Sequence, residues 1–462
     1  MPRIVLSTVP FSTERHGVHN KVFPNIGLSY LCSYLRSHGH DVLLLDPVAD
    51  GIDGSTFART IGRMRPLLVG FTCLTVDMDH LRLLADELKL ASPKTRLVAG
   101  GCHPSARPVQ TLEEIDALDF VVVGEGEQTL QELAAALEQG GEVSAIQGLA
   151  HRSGGEVKLN PPRPQIENLD ELPFPEFQGF HPGRYNRLFS WARGGMLPLT
   201  TSRGCPFQCI FCYRCFGNRM RYRSVESVIE EVKRDIRELG ARNIFFIDET
   251  YSVHQERTAE ICEAILANDL QKEFRWLCES RVDAVTPELL RLMKRAGNQL
   301  IVYGVESGDD AALDRIRKGT SLEQIRRAFQ WTHEAGIYGH ATLIIGLPGD
   351  TVERIRKTIR LAATLPARYA TFSILTPFPG TEVERMARQG EGGLVMLSDR
   401  WSDYEKQTGA ALELTNIRRR RLELLLVEAY LRFYGHPART LRILELTDWR
   451  NLLKVAYQVL VR

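Results

Sequence analysis

Three cysteines, Cys205, Cys209 and Cys212, stand in the run Thr201-Ser-Arg-Gly-Cys-Pro-Phe-Gln-Cys-Ile-Phe-Cys212, a C-x3-C-x2-C spacing. Three thiolates on one tight loop can hold three irons of a cubane [4Fe–4S] cluster, which proteins ordinarily ligate through four. One iron is then left without a protein ligand and open to a small molecule. Two other chemistries fit part of the run. Cys215 extends it to Cys209-x2-Cys212-x2-Cys215, and zinc takes such thiolates. Structural zinc, however, pairs two separated C-x2-C knuckles, and no second knuckle occurs among the nine cysteines. A redox C-x-x-C accounts for Cys209 and Cys212 and leaves Cys205 idle. The cluster uses all three thiols, with Cys215 a bystander.

Further candidates lie where apolar runs stop. Between residues 197 and 376 six such runs recur, at 197–202, 243–248, 275–279, 300–305, 339–346 and 370–376. Amphipathic helical patterns separate them, at 225–239, 258–267, 287–296, 322–335 and 352–364. Six β/α repeats are two short of a full eightfold barrel, and in barrels functional side chains gather at the carboxyl ends of the strands. There stand Asp248 and Glu249 in Phe246-Ile-Asp-Glu249, Glu279 and Arg281 in Trp276-Leu-Cys-Glu-Ser-Arg281, and Glu306 in Tyr303-Gly-Val-Glu-Ser-Gly308. Gly346 and Gly349 follow in Ile344-Ile-Gly-Leu-Pro-Gly-Asp350, then Pro377-Phe-Pro-Gly-Thr381. Carboxylates suit an ammonium or ribose hydroxyls, and an arginine suits a carboxylate.

The first 140 residues show a second pattern of the same kind. Five near-continuously apolar runs, at 4–7, 41–46, 67–72, 96–100 and 119–124, alternate with helical patterns at 26–37, 78–90 and 128–139. That describes a Rossmann-like, doubly wound parallel sheet, whose ligands bind beyond the carboxyl strand ends. Three segments fall there: Gly70-Phe-Thr-Cys-Leu-Thr75, Gly100-Gly-Cys-His-Pro-Ser105 and Gly124-Glu-Gly-Glu127. Thr72, Thr75 and Ser105 can hydrogen-bond a ligand's polar edge, and Gly100, Gly101, Gly124 and Gly126 admit close backbone approach. His103 reads either as a turn residue or as a metal ligand.

Taken in order, these motifs resemble the cobalamin-binding-domain radical S-adenosylmethionine (SAM) enzymes, over roughly residues 1–385. The resemblance implies a radical SAM partial barrel of six strands with its cluster on the loop after the first. SAM would chelate the open iron and be cleaved to methionine and a 5′-deoxyadenosyl radical. Asp248 and Glu249 match the place of the SAM ammonium. Glu279 and Arg281 could clamp a ribose hydroxyl and the methionine carboxylate. Glu306 matches the G-x-E-S-G segment at the ribose, and Gly346 and Gly349 the G-x-P-G-[DE] stretch near adenine. The segments Gly100-Gly-Cys-His-Pro-Ser-Ala-Arg-Pro108 and Gly124–Glu127, the latter with Glu125 and Glu127, recur in that subfamily's cobalamin domain. No histidine here stands in D-x-H-x-x-G, so cobalamin is expected without a histidine on cobalt. Phe433-Tyr-Gly-His-Pro437 resembles an F-Y-x-x-P element of some members, in a tail expected to close one side of the active site.

The fold class that follows is α/β: a cobalamin-binding Rossmann-like domain (1–140), a linker with a small hairpin and proline-rich chain (141–196), the partial barrel (197–385) and a mostly helical C-terminal region (386–462). Within the tail, helices are expected at 422–433 and 441–460, and the arginines at 418–421 read as a solvated helix face. The expected activity is modification of an unactivated carbon of a small molecule, of secondary-metabolite, polycyclic or tetrapyrrole-like kind, by methyl transfer. Radical cyclisation or rearrangement on the same cofactors, a radical SAM enzyme with a vestigial N-terminal fold, and a non-enzymatic iron–sulfur sensor are the alternatives. No nucleophile–base pair occurs in the motifs, and this chemistry needs none.

Bulk properties agree. The chain has 462 residues, 44% hydrophobic and 25% charged, with a net charge of +1 that gives nucleic acid no electrostatic footprint. No stretch reaches the ~18–20 apolar residues that span a bilayer. Met1-Pro-Arg-Ile-Val-Leu-Ser reads as a first strand rather than a leader. Nine scattered cysteines, an odd number, argue against a disulfide framework. The expectation is a cytoplasmic, reducing compartment, with a flavodoxin- or ferredoxin-like electron donor.

Overall fold

The computed structural model describes residues 3–10, 23–177, 185, 192, 195–407, 409–435 and 439. The expected helix at 441–460, the end of the F-Y-x-x-P element and part of 178–194 lie outside these. Two compact units emerge. One holds the described residues through Tyr185 together with Tyr213–Gly217 and Arg400–Ser402, and the other holds the rest.

The first unit is a seven-stranded sheet. Strands β1 (Ile4–Thr8), β2 (Val42–Leu45), β3 (Leu68–Thr72), β4 (Arg96–Gly100) and β5 (Phe120–Val122) run parallel in the order β2-β1-β3-β4-β5. This is a doubly wound order whose switch point lies between β1 and β3. β1 is buried along its whole length and β3 and β4 nearly so, which is why they read as apolar runs without alternation. The hairpin expected around Gly154 forms as β6 (Leu149–Ser153) and β7 (Glu156–Leu159), and it extends the sheet by antiparallel pairing of β6 with β5. Helix Ile26–Ser37 is capped by the Asn25 side chain, and helices Met78–Ala91 and Glu127–Gln139 bury one face each.

The second unit opens with β8 (Leu197–Leu199), followed by the short antiparallel pair β9 (Ser202–Arg203) and β10 (Arg221–Tyr222) that brackets the cysteine loop. Strands β11 (Asn243–Phe246), β12 (Arg275–Ser280), β13 (Asn298–Glu306), β14 (Tyr338–Ile345) and β15 (Tyr369–Ile374) complete a parallel six-stranded sheet in the order β15-β14-β13-β12-β11-β8. Helices Val225–Leu239, Gln255–Ala267, Pro287–Arg295, Leu322–Glu334 and Val352–Thr364 alternate with the strands, each started by a side-chain cap. The expected first strand, 197–202, is broken after Leu199, because the amides of Thr201 and Ser202 turn to the Asp248 carboxylate, each at 2.7 Å.

An open barrel has edge strands, and a bare edge invites pairing with another chain. On β15 two tyrosines of helix Arg419–Tyr434 occupy the edge: Tyr434 Oη bonds both the amide and the carbonyl of Ala370 (3.1 and 3.0 Å), and Tyr430 Oη does the same for Phe372 (3.2 and 3.1 Å). Four helical residues rise about 6 Å and two strand residues about 6.6 Å, so the spacings match. The tail is not purely helical: β16 (Leu394–Met396) and β17 (Leu412–Leu414) form an antiparallel pair within it. Its arginines also depart from a solvated face. Arg419 is buried, beside Glu423 and Leu412 O, while Arg418, Arg420 and Arg421 face solvent.

Candidate active site

The cysteine loop, residues 204–220, begins at Gly204, whose φ of +97° favours glycine, and carries Cys205, Cys209 and Cys212 as free thiols. Buried Ile210, between the second and third cysteines, fastens it: Ile210 N donates to Ile316 O at 3.2 Å, and Ile210 O accepts from Val383 N at 3.1 Å. The neighbouring Cys209 and Cys212 thiols perturb each other, lowering Cys209 and raising Cys212; Lys318 and Arg281 help lower Cys209 against its burial. Burial raises Cys205. Among the described residues no three His, Cys, Asp or Glu side chains gather around a point that would suit a single metal ion. A cubane asks for something else, since each of three thiolates meets a different iron, and three thiols on one fastened loop suit it. Cys215 departs with the other unit, beside Tyr213 and Cys102.

The acids expected at the end of β11 separate. Asp248 is buried and turned inward, accepting from Thr201 N, Thr201 Oγ1 (2.8 Å) and Ser202 N. Arg257 reinforces the same turn, donating to Thr201 Oγ1, Thr201 O and Arg223 O, and Arg223 donates to Thr200 O and Glu231. Asp248 therefore anchors the chain entering the cysteine loop. Glu249 reaches solvent near Gly204, and surrounding protein raises its carboxyl to about 7. Glu279 likewise reaches solvent, with its pKa raised by burial and opposed by Lys406.

Glu279 and Arg281 do not pair with each other. Arg281 is buried, binds Asp283 through two nitrogens (2.9 and 2.8 Å), and lies 3.6 Å from the ring centroid of Phe207 in the cysteine loop. Glu306 ends β13 with a φ of +62°, an unusual conformation for a residue with a Cβ, at a register shift against β14. Its Oε1 accepts from buried Lys318 Nζ at 2.7 Å, and the pair fits only because Gly304 lacks a side chain: a Cβ there would lie 2.5 Å from both atoms. Gly346 and Gly349 take φ of +85° and +71°, and the Gly346 amide is held by Asp350 Oδ2 at 3.2 Å.

In the first unit the three strand-end segments meet in one layer. Cys73 N donates to Gly100 O (2.8 Å), His103 Nδ1 meets Thr75 Oγ1 (3.3 Å), and Gly124 N donates to Ser105 Oγ (2.9 Å). Thr72 ends β3 half-buried, 3.0 Å from where a Cβ on Gly101 would stand, and Gly101 has a φ of +96°. His103 is buried edge-on to Trp401 at 4.6 Å between ring centroids. Glu125 accepts from Ile166 N (2.9 Å), Gly126 abuts Leu31, and Glu127 is buried at the start of its helix.

Sequence reasoning missed Lys318, Asp283, Phe207 and Arg257. Lys318 lies 12 residues beyond its partner, with no periodic signal joining them.

Fold and site define a radical SAM enzyme with a corrin-binding layer, and the chain belongs to this family. Residues 199–362 match the radical SAM superfamily and residues 18–134 the B12 binding domain. The chain is 33% identical, over 99% of both sequences, to an uncharacterized methyltransferase of Pyrococcus horikoshii. It is 27% identical to the anaerobic magnesium-protoporphyrin IX monomethyl ester cyclase of Rubrivivax gelatinosus, over 78% of this chain and 66% of that one. The fold matches the radical SAM methyltransferase TsrM of Kitasatospora setae, solved with cobalamin and a [4Fe–4S] cluster, at a TM-score of 0.74 and 20% identity, covering 95% and 90% of the two chains. The protein is a cobalamin-dependent radical SAM enzyme of the methyltransferase family, and its cofactors are a [4Fe–4S] cluster, SAM and cobalamin.

Proposed function

We propose that the enzyme transfers a methyl group from SAM to an unactivated carbon of a small-molecule substrate. What carries this reading is the presence, in one chain, of a fastened three-thiol loop and a sheet whose strand-end segments 70–75, 100–105 and 124–127 are hydrogen-bonded into a layer. When bound, the cluster with SAM supplies a deoxyadenosyl radical and cobalamin a carrier for the methyl group.

The residues divide the work. Cys205, Cys209 and Cys212 take three irons. Glu249, solvent-accessible beside the loop, is the better partner for the SAM ammonium, while Asp248 holds the turn beneath it. The ion pair of Glu306 uses one carboxylate oxygen and leaves the other for ribose hydroxyls. Glu279 stands on the adjacent strand, and Arg281 supports the loop through Phe207. The backbone of the turn at Gly346 and Gly349, whose Cα hydrogens pack toward Leu422 and Arg315, would supply the polar groups for adenine. In the first unit Thr72, Thr75, Gly100, Gly101, Ser105, Gly124, Glu125, Gly126 and Glu127 form the corrin layer, and His103, enclosed by Thr75 and Trp401, packs that layer instead of binding cobalt. The electron donor is a flavodoxin- or ferredoxin-like protein and the compartment a reducing cytoplasm. Among the described residues no helix is long and apolar enough to cross a membrane.

Likeness to the ring-forming cyclase favours one other reading, cyclisation without net methyl transfer. Reaction stoichiometry separates the two. With reconstituted protein, methyl transfer yields S-adenosylhomocysteine and 5′-deoxyadenosine together with each product, whereas cyclisation yields no S-adenosylhomocysteine.

A further inference from the structure

The Glu306–Lys318 pair is built with unusual care. Both side chains are buried, the carboxylate sits on a left-handed residue, and Gly304 is the hole that admits them. Backbone at φ of +62° is uncomfortable for a glutamate and persists where surrounding contacts over-determine it. Here the contact is the ammonium of Lys318 at 2.7 Å. Lys318 itself lies in a tight turn between Arg317 (φ +53°) and Gly319 (φ +68°), and that turn begins at Ile316. Ile316 O is the acceptor for Ile210 N, the amide between the second and third cysteines. One four-residue turn therefore holds the cysteine loop with its first residue and the strand-end carboxylate with its third.

We propose that Lys318 is a positioning residue with two effects: it fixes the Glu306 carboxylate for the SAM ribose, and it places a permanent cation beside the cluster. The inference rests on the assignment of the cysteine loop and of Glu306 given above. A cation held in a low-dielectric surround favours the more negative, reduced cluster, because Coulomb attraction there is weakly screened. Glu306 offsets part of that charge. Arg281, bound to Asp283 and stacked on Phe207, also acts on Cys209, but its guanidinium is neutralised at short range by a bidentate carboxylate.

The test uses the anaerobically reconstituted holoprotein and compares Lys318→Met with wild type in two readouts. One is the cluster midpoint potential from a redox titration followed by paramagnetic resonance. The other is SAM affinity by titration. We expect the variant to hold a full cubane, its potential to move negative so that several-fold less cluster is reduced at a fixed poise, and SAM binding to weaken several-fold. An unchanged potential and affinity would overturn the proposal. If Lys318→Met does not fold, Lys318→Arg is compared with the double variant Glu306→Gln/Lys318→Met, which removes both buried charges together. The charge-retaining variant should have the higher potential, and equal potentials would overturn the proposal. A wild-type protein that takes up no cubane, or binds no SAM, would instead overturn the assignment beneath it.

Discussion

At the scale of residues, the cysteine loop carries the clearest commitment. Cys205, Cys209 and Cys212 lie on the segment fastened by Ile210, and Cys215 groups with the other unit. Single alanine variants reconstituted anaerobically should show it in their iron content. The three loop variants lose the intact cubane and Cys215→Ala keeps it; a full cluster in Cys209→Ala, or its loss in Cys215→Ala, would break the ligand assignment. The spacing of those thiols was legible in the sequence because all their partners are local. The ion pairs around them were not. Glu279 and Arg281 look like an acid–base pair at positions two apart, but Arg281 stands past the end of β12, where strand alternation stops, and it meets Asp283. Lys318 finds Glu306 across a turn that no pattern announces. Asp248 and Glu249, adjacent in sequence and past the end of β11, part because the Thr201 and Ser202 amides hold the Asp248 carboxylate inward while Glu249 turns to solvent.

At the scale of elements, the parallel strands were legible to within two residues at either end because burial on both faces writes itself as an apolar run. The exception is β8, cut short by hydrogen bonds to Asp248 that come from 47 residues away. Helix Val225–Leu239 sits behind that turn and buries Glu231 and Asp235, two acids four residues apart. Burial, and then the charge of Glu231, raise the Asp235 carboxyl from 3.8 to about 7, against the pull of Arg234. The folded chain thus retains a proton that the unfolded chain gives up. Its contribution to stability is fully present below pH 3.8 and is lost as pH rises towards 7. Denaturation at a series of pH values should therefore show Asp235→Asn losing less unfolding free energy than wild type across that window. Equal slopes would exclude Asp235 as the source.

The edge of the barrel gives a second prediction at this scale. Tyr434→Phe leaves the amide and carbonyl of Ala370 without their shared partner, and an orphaned buried polar group costs about 1–3 kcal/mol. Chemical denaturation should register that loss, with the cluster retained. A variant as stable as wild type would mean that the edge does not depend on the tyrosine. Tyr434 was visible in sequence only as part of a motif. Its capping role depends on the match of helix and strand rise, which no local pattern states.

At the scale of the whole molecule, the fold class could be read because each unit repeats a β/α pattern, and the order of the motifs points to the same family as the likeness over 99% of the chain. The substrate could not be read, since no short motif encodes the shape of a cavity. The central claim is methyl transfer to carbon, and isotopic labelling tests it most directly. The anaerobically reconstituted protein, loaded with cobalamin and supplied with reductant, is given SAM carrying a trideuterated methyl group and a small-molecule extract of its source organism. Mass spectrometry should find a deuterated methyl on a carbon of a new product, accompanied by S-adenosylhomocysteine and 5′-deoxyadenosine. A product formed with 5′-deoxyadenosine alone, and without deuterium or S-adenosylhomocysteine, would contradict the account.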